Sequence, residues 1–224
     1  MRGRSGFTLL ETMLALVLLV LVTGSIVLFG DSLSSSYRTM RASAELDARA
    51  RKTVQEIAER LRAASAGEMN PVVESPFFTD TLDYRGIEGF TGGVPDWSAL
   101  ERIVLEEGPD DPDDGIDNDG DGLVDERQVV WIRNPGQPNE RRSVLCRDVR
   151  KWMEGEIPGN GLDDNGNGLV DEAGLAFDFP PGFPDDTRYV RIQLSLQSRE
   201  VIGQSITTTV ERTVSFRVQQ KMIP

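Results

Sequence analysis

A run of nineteen uncharged residues, from Thr12 to Gly30, follows a short basic stub and the segment FTLLE. As an α-helix this run would rise about 28 Å, close to the thickness of the hydrocarbon core of a bilayer. Arg2 and Arg4 precede it and form the positive flank that marks the cytoplasmic side. We therefore expect a single membrane span, with the N-terminus inside and the remainder of the chain outside the cytoplasm.

The position of the basic N-terminal residues before the apolar run also indicates where the chain could be cleaved. A secretory signal peptide is cut after its apolar core, whereas the one candidate cut here, between Gly6 and Phe7, lies before it. Such a cut would leave the anchor on the chain. Glu11 is the lone charge at the start of the apolar run, and an unpaired charge in hydrocarbon is unfavourable, so we expect Glu11 to have a partner.

The segment GFTLLE resembles the cleavage and methylation site of prepilins. In this resemblance Gly6 precedes the cut, Phe7 is the first residue of the mature chain, and Glu11 pairs with the free amine of Phe7 of a neighbouring subunit during filament assembly. It also implies a prepilin peptidase, an inner-membrane assembly platform and other pilins or pseudopilins as partners. The alternative is a plain signal anchor whose Glu11 lies among the lipid headgroups.

Composition limits what the remainder can be. The 224 residues, of which 38% are hydrophobic, allow an anchor and one globular domain. Cys146 is the only cysteine, so no intramolecular disulfide can form, and something else must fasten the loops. The absence of histidine removes histidine-based catalysis and the commonest zinc ligand. We expect no enzyme, and we interpret Cys146 as a core residue.

The net charge of −13 is concentrated in two stretches. Residues 106–126 hold eleven acids and residues 154–186 hold nine, and neither stretch contains a base. The other 17 acids are outnumbered by the 24 bases. The basic cluster from Arg141 to Lys151 could contact DNA, but a solvated strand face or pairing with nearby acids is the preferred interpretation, and no nucleic-acid partner is predicted.

The two acidic stretches contain an internal repeat, GIDNDGDGLVDE at 115–126 and GLDDNGNGLVDE at 161–172. Oxygen-bearing residues alternate ahead of a glycine, as in D-x-D-x-D-G-x-x-D, and this spacing can wrap one turn of backbone around Ca²⁺. Both loops, 113–126 and 160–172, resemble the calcium loops of EF-hand, dockerin and thrombospondin repeats. The candidate ligands are Asp117, Asp119, Asp121, Leu123 (carbonyl) and Asp125 in the first loop, and Asp163, Asn165, Asn167, Leu169 (carbonyl) and Asp171 in the second.

Both loops depart from the EF-hand at its last ligand. The bidentate glutamate of position twelve is replaced by Gln128 and Gly174. The missing oxygen could come from Glu126 or Glu172, from the run 110–114, from water, or from the other loop. We predict two Ca²⁺ sites, the second weaker because it has fewer charges; the alternative is a pair of solvated, flexible loops.

The chain pattern predicts an α+β fold. An apolar stripe, including Tyr37, Met40, Ala44, Ala50, Val54, Ile57, Leu61 and Ala64, continues the helix from Phe7 to about Ala64, as a packing face for the domain. Residues 67–97, rich in Gly, Pro and aromatic residues, are expected to form an irregular connecting segment that could include one short strand. An antiparallel sheet of about five strands follows, with the acidic repeats inserted between strands; the predicted strands are 100–106, 128–133, 142–149, 188–197 and 206–218.

The predicted organisation is a cleaved leader (1–6), a transmembrane and filament-core helix in contact with lipid (7–30), an amphipathic continuation (31–66) and a globular β domain (67–224). This order is similar to the minor pilin W and J-type pseudopilin group. Leu28 stands where major pilins commonly have proline, and Glu11 argues against the K-type tip pseudopilin.

The sequence therefore indicates a structural subunit of a type IV pilus or type II secretion pseudopilus, stabilised by calcium. It would lie in the bacterial inner membrane, with its domain in the periplasm or outside the cell, before joining the filament. The alternative is a membrane-anchored calcium- or carbohydrate-binding protein that joins no filament.

Overall fold

The computed structural model describes residues 8–65, 68–69, 77–179, 189–199 and 205–216. The chain divides into two compact units, Met1–Arg41 and Ala42–Pro224. One α-helix, α1 (Leu9–Arg62), contributes residues to both units. Together with the antiparallel sheet described below, it confirms the predicted α+β class.

The surface of α1 changes character along the helix. From Leu9 to Phe29 its large apolar side chains are exposed, as expected of a segment whose solvent is lipid. Farther along, buried residues recur at three- and four-residue steps and form one face, comprising Leu46, Ala50, Thr53, Val54, Ile57, Ala58 and Leu61. Arg60 and Arg62 occupy the last turn, where positive charge favours the helix dipole.

The predicted apolar stripe is therefore only partly a packing face. Its members from Ala50 to Ala64 are buried, whereas Tyr37 and Met40 are 67% and 72% exposed. The stripe continues the helical period on the N-terminal side, but the hydrophobic core of the second unit begins only at Leu46.

Within the described residues ten strands follow the helix: β1 (Phe77–Thr79), β2 (Thr81–Tyr84), β3 (Ile87–Thr91), β4 (Val94–Trp97), β5 (Glu101–Glu107), β6 (Arg127–Arg133), β7 (Arg141–Val149), β8 (Leu175–Phe179), β9 (Tyr189–Arg199) and β10 (Ser205–Ser215). Eight of them form one sheet, in the order β1-β8-β9-β7-β6-β5-β2, with β10 also paired to β9. β3 and β4 form a separate hairpin. Every strand pair is antiparallel.

The core lies between the buried face of α1 and this sheet. On β9 the side chains of Val190, Ile192, Leu194 and Leu196 alternate along one face and are completely buried. Ile57 and Leu61 of α1 belong to the same core and are also completely buried. Burying an aliphatic side chain of this size stabilises the folded state by about 1.5–3 kcal/mol, so the helix and sheet hold each other in place.

Four of the predicted strands are confirmed within two residues at each end, as β5, β6, β7 and β9. The fifth begins at Ser205 as β10, and its predicted end at Val218 lies outside the described residues. The prediction of irregular structure for 67–97 was wrong, because β1 to β4 lie within it. β8 was not predicted at all.

The two acidic stretches lie between these strands. The first acidic loop (residues 108–126) connects β5 to β6. Glu107 of β5 and Arg127 of β6 are paired in the sheet and close the base of the loop. The second acidic loop (residues 150–174) connects β7 to β8. The amide of Met153 donates to the carbonyl of Glu172 over 3.0 Å and closes this loop at its neck.

Candidate functional site

The first acidic loop brings three of its predicted ligands together. One carboxylate oxygen from each of Asp117, Asp119 and Asp121 lies within 4.8 Å of the others. The turn is held by its own side chains: Asp117 accepts the amides of Gly120 and Gly122 at 2.7 and 2.9 Å. Three carboxylates at this separation repel one another, so the arrangement favours a bound cation.

The second acidic loop repeats this turn hydrogen bond for hydrogen bond. Asp163 accepts the amides of Gly166 and Gly168 at 2.7 and 2.9 Å. Asn165 accepts the backbone amide of Asn167 at 2.9 Å. In the first loop Asp119 accepts the backbone amide of Asp121 in the same way, at 3.0 Å. The repeat seen in the sequence is therefore a repeat of backbone conformation, with two asparagines in place of two aspartates.

The glycine in each turn has a conformational reason. Gly122 and Gly168 have φ angles of 92° and 93°, in the left-handed region that other residues rarely adopt. A Cβ at Gly122 would also lie 2.1 Å from Nη1 of Arg199, so the Arg199 side chain would have to move to admit any other residue. The next residues, Leu123 and Leu169, turn their side chains inward and are 6% and 7% exposed.

Asp125 and Asp171 occupy a different position from the other predicted ligands. Both have a positive φ, 54° and 52°. The carboxylate of Asp125 accepts the amides of Asp114 and Gly115 at 2.9 and 2.8 Å. That of Asp171 accepts the amides of residues 159–161, the shortest at 2.7 Å from Gly159. The structure thus gives both aspartates a role in closing the loop on itself.

Buried acids beside the turns were less visible in the sequence. Asp111, Glu126, Glu156 and Glu172 are only 3%, 6%, 9% and 0% exposed. Asp111 accepts the amide of Asn118 at 2.9 Å and that of Glu126 at 3.2 Å. Burial raises the pKa of Glu126 to about 7, helped by a side-chain hydrogen bond with Asp111 and by the negative charges of Asp121 and Asp111. Glu126 and Glu172 could have been noticed in the sequence, because both repeats end in GLVDE. No sequence pattern marks Glu156.

The first loop is tied to the base of the second through Asp113. Its carboxylate forms ion pairs with Lys151 and, at 3.1 Å, with Arg127. The hydrogen bond from Lys151 is the main cause of the lowered pKa of Asp113, and Arg127 lowers this pKa less. Arg142, of the same basic cluster, pairs with Glu106 and Glu140. These bases therefore neutralise acids of the sheet and of the first loop.

Glu11 lies in the first turn of α1. Its carboxylate accepts the amide and the hydroxyl of Thr8 at 2.8 and 3.0 Å, and Thr8 Oγ1 in turn accepts the amide of Glu11 at 3.3 Å. This reciprocal pattern is a capping box, which the order T-x-x-E could have indicated from the sequence. Gly6 and Phe7, the predicted processing residues, lie outside the described residues.

α1 is long and apolar enough to cross a membrane, with a mean hydropathy of 2.7 over its most apolar 18-residue window. No residue of that window is buried within the described structure. Glu11 thus stands at the beginning of a helix that presents apolar side chains on all sides.

Comparison with known protein families gives a match at the N-terminus of the chain. Residues 1–27 match the family described as the prokaryotic N-terminal methylation motif. The chain has no significant match among curated proteins or among solved structures. The motif supports a membrane-anchored, type IV pilin-like protein, structural rather than enzymatic. It also implies processing by a prepilin peptidase and assembly with other pilins.

Proposed function

We propose that this protein is a minor pilin or pseudopilin, a structural subunit of a type IV pilus or type II secretion pseudopilus. The observation that carries the proposal is the methylation motif at residues 1–27, which contains most of the exposed apolar part of α1. Subunits of such filaments need an apolar helix that can leave the lipid and pack against like helices. The antiparallel domain would then be carried outside the cytoplasm.

We also propose that the two acidic loops bind Ca²⁺ and that the ions hold the loops in shape. The support is the clustering of Asp117, Asp119 and Asp121 and the same turn at Asp163. Calcium takes six to eight oxygens and fits flexible loops of this kind. Since the chain has a single cysteine, bound ions would do for these loops what disulfides do in many exported domains.

The first prediction concerns cleavage of the chain between Gly6 and Phe7. Mass spectrometry of the protein from native membranes should find Phe7 as the first residue, with its amine methylated, because the cut lies before the helix. A Gly6→Leu variant is the control, since it should retain Met1. A wild-type chain that retains Met1 where a prepilin peptidase is active would contradict the pilin assignment.

The second prediction separates two roles of Glu11. Glu11→Gln keeps an oxygen that can accept the amide of Thr8 but removes the charge, whereas Glu11→Ala removes both. If the charge pairs with the Phe7 amine of a neighbouring subunit, both variants should enter the membrane as well as wild type or better, and both should be poorly incorporated into filaments.

Incorporation is measured in sheared filament fractions, with membrane insertion scored separately. Wild-type incorporation of Glu11→Gln, with loss only in Glu11→Ala, would mean that Glu11 acts through the helix cap. That result would contradict the proposed intersubunit pair.

The third prediction concerns stability of the full chain in detergent. Calcium should raise the melting temperature over that in chelator, and magnesium should do so less. At calcium about 100 times the dissociation constant, each independent site would stabilise the fold by about 2.7 kcal/mol. Dissociation constants of about 10⁻⁴ to 10⁻³ M are common in extracellular calcium modules.

Asp117→Ala combined with Asp121→Ala should remove the contribution of the first loop. Glu59→Ala combined with Glu88→Ala, which removes two exposed acids outside the loops, is the matched control. If chelator leaves the wild-type melting temperature unchanged and calorimetry detects no calcium binding, the metal proposal fails while the pilin proposal stands.

A further inference from the structure

We propose that Glu126 and Glu172 supply the carboxylate that completes each calcium site, in place of the EF-hand glutamate at position twelve. This inference rests on the proposed binding of calcium by the acidic loops. It assigns the last ligand of each site, which the sequence left open among several sources, to the tenth position counted from Asp117 or Asp163.

Position twelve cannot supply the ligand in the second loop. A Cβ on Gly174 would lie 1.9 Å from the carbonyl oxygen of Arg150, so no side chain fits there. Gly174 is also joined to the sheet, because its carbonyl accepts the amide of Ser195 at 2.7 Å. The loop has therefore already returned to the sheet at the position where an EF-hand would place its glutamate.

Position twelve is equally committed in the first loop. Gln128 lies in β6, opposite Glu106 in β5. Its side-chain amide donates to the carboxylate of Glu106 at 3.2 Å. Gln128 is a strand residue with no carboxylate, and its amide oxygen, buried without a partner in the described residues, could give only one neutral oxygen. We therefore assign the carboxylate of the first loop to an earlier position.

Glu172 is aimed at the turn of the second loop. Its Oε1 accepts the side-chain amides of Asn165, at 2.9 Å, and of Asn167. Glu172 is completely buried, and its Oε2 has no partner among the residues that the structure describes. A buried carboxylate oxygen without a partner is costly. A cation held by Asn165 and Asn167 would provide that partner.

Glu126 is the corresponding residue of the first loop and shares the burial and the unpartnered oxygen of Glu172. It is 6% exposed, and its Oε2 also lacks a partner within the described part of the chain. The negative charges of Asp111 and Asp121 act on the same carboxylate. Acids are thus packed against one another where the loop meets the sheet, an arrangement that a divalent cation stabilises.

The oxygen count agrees with the assignment. In the first loop three aspartates, the Leu123 carbonyl and two oxygens of Glu126 make six, the lower limit for Ca²⁺. In the second loop Asp163, Asn165, Asn167, the Leu169 carbonyl and Oε2 of Glu172 make five, because Oε1 of Glu172 already accepts two amides, and a water would supply the sixth. Asp125 and Asp171 are then free to hold the backbone amides that they accept in the structure.

The test uses the full chain in detergent, with calcium as the probe, and compares stoichiometry by calorimetry with melting temperature in chelator. Glu172→Gln keeps the shape and the Oε1 acceptor but removes the charge. We expect the stoichiometry to fall from two ions to one and the calcium-induced rise in melting temperature to shrink. In chelator the variant should melt no lower than wild type, because a buried unpaired charge has been removed.

Glu126→Gln should give the same result through the other loop. Asp164→Asn is the matched control, since it removes one charge from the second loop at an exposed position outside the ligand set, and it should still bind two ions. Two ions bound by Glu172→Gln would overturn the assignment, and so would a lower melting temperature in chelator, which would mark a structural role. A wild-type chain that binds no calcium would overturn the calcium proposal itself.

Discussion

β9 is the strand on which the core and both acidic loops depend. One of its faces buries Val190, Ile192, Leu194 and Leu196 against the helix. From its other face Gln193 accepts the side-chain amide of Asn167, and the Ser195 amide fixes the return of the second loop at Gly174. At its end Arg199 packs on Gly122 of the first loop. A shift of this strand would therefore disturb the core and the two candidate metal sites together.

The loops present an electrostatic problem that the described residues do not solve alone. Asp113 is neutralised by Lys151 and Arg127, and Arg142 neutralises Glu106. No such base reaches the three carboxylates of the first turn among the described ion pairs, and Glu126 and Glu172 each keep one unpartnered oxygen. Bound cations would remove both the repulsion between the aspartates and the cost of burying the two glutamates. The two loops would then be rigid although the domain has no disulfide.

Much of this architecture could be predicted from the sequence, because the strongest signals are periodic. The helix and four of the strands follow from hydrophobic periods of about 3.6 and two residues, and the repeat follows from its offset of 46 residues. The short strands β1 to β4 hold three to five residues each and include Gly89 and Pro95, so no period could develop. β8 is a buried run of five residues that periodicity cannot assign. The burial of Glu172 depends on β9, 17 to 27 residues farther on, and no local pattern records it.

Photocrosslinking in the native host tests the central claim, that this chain is a filament subunit, most directly. A photoreactive residue at Leu14, which is 60% exposed on the apolar part of α1, would report what surrounds the helix, with Val144 on the sheet as a reference position. If the chain is a filament subunit, Leu14 should crosslink to other proteins that carry a prepilin-type N-terminal segment. Crosslinks from Leu14 to lipid alone, in cells that assemble the filament, would contradict it and favour an anchored domain that joins no filament.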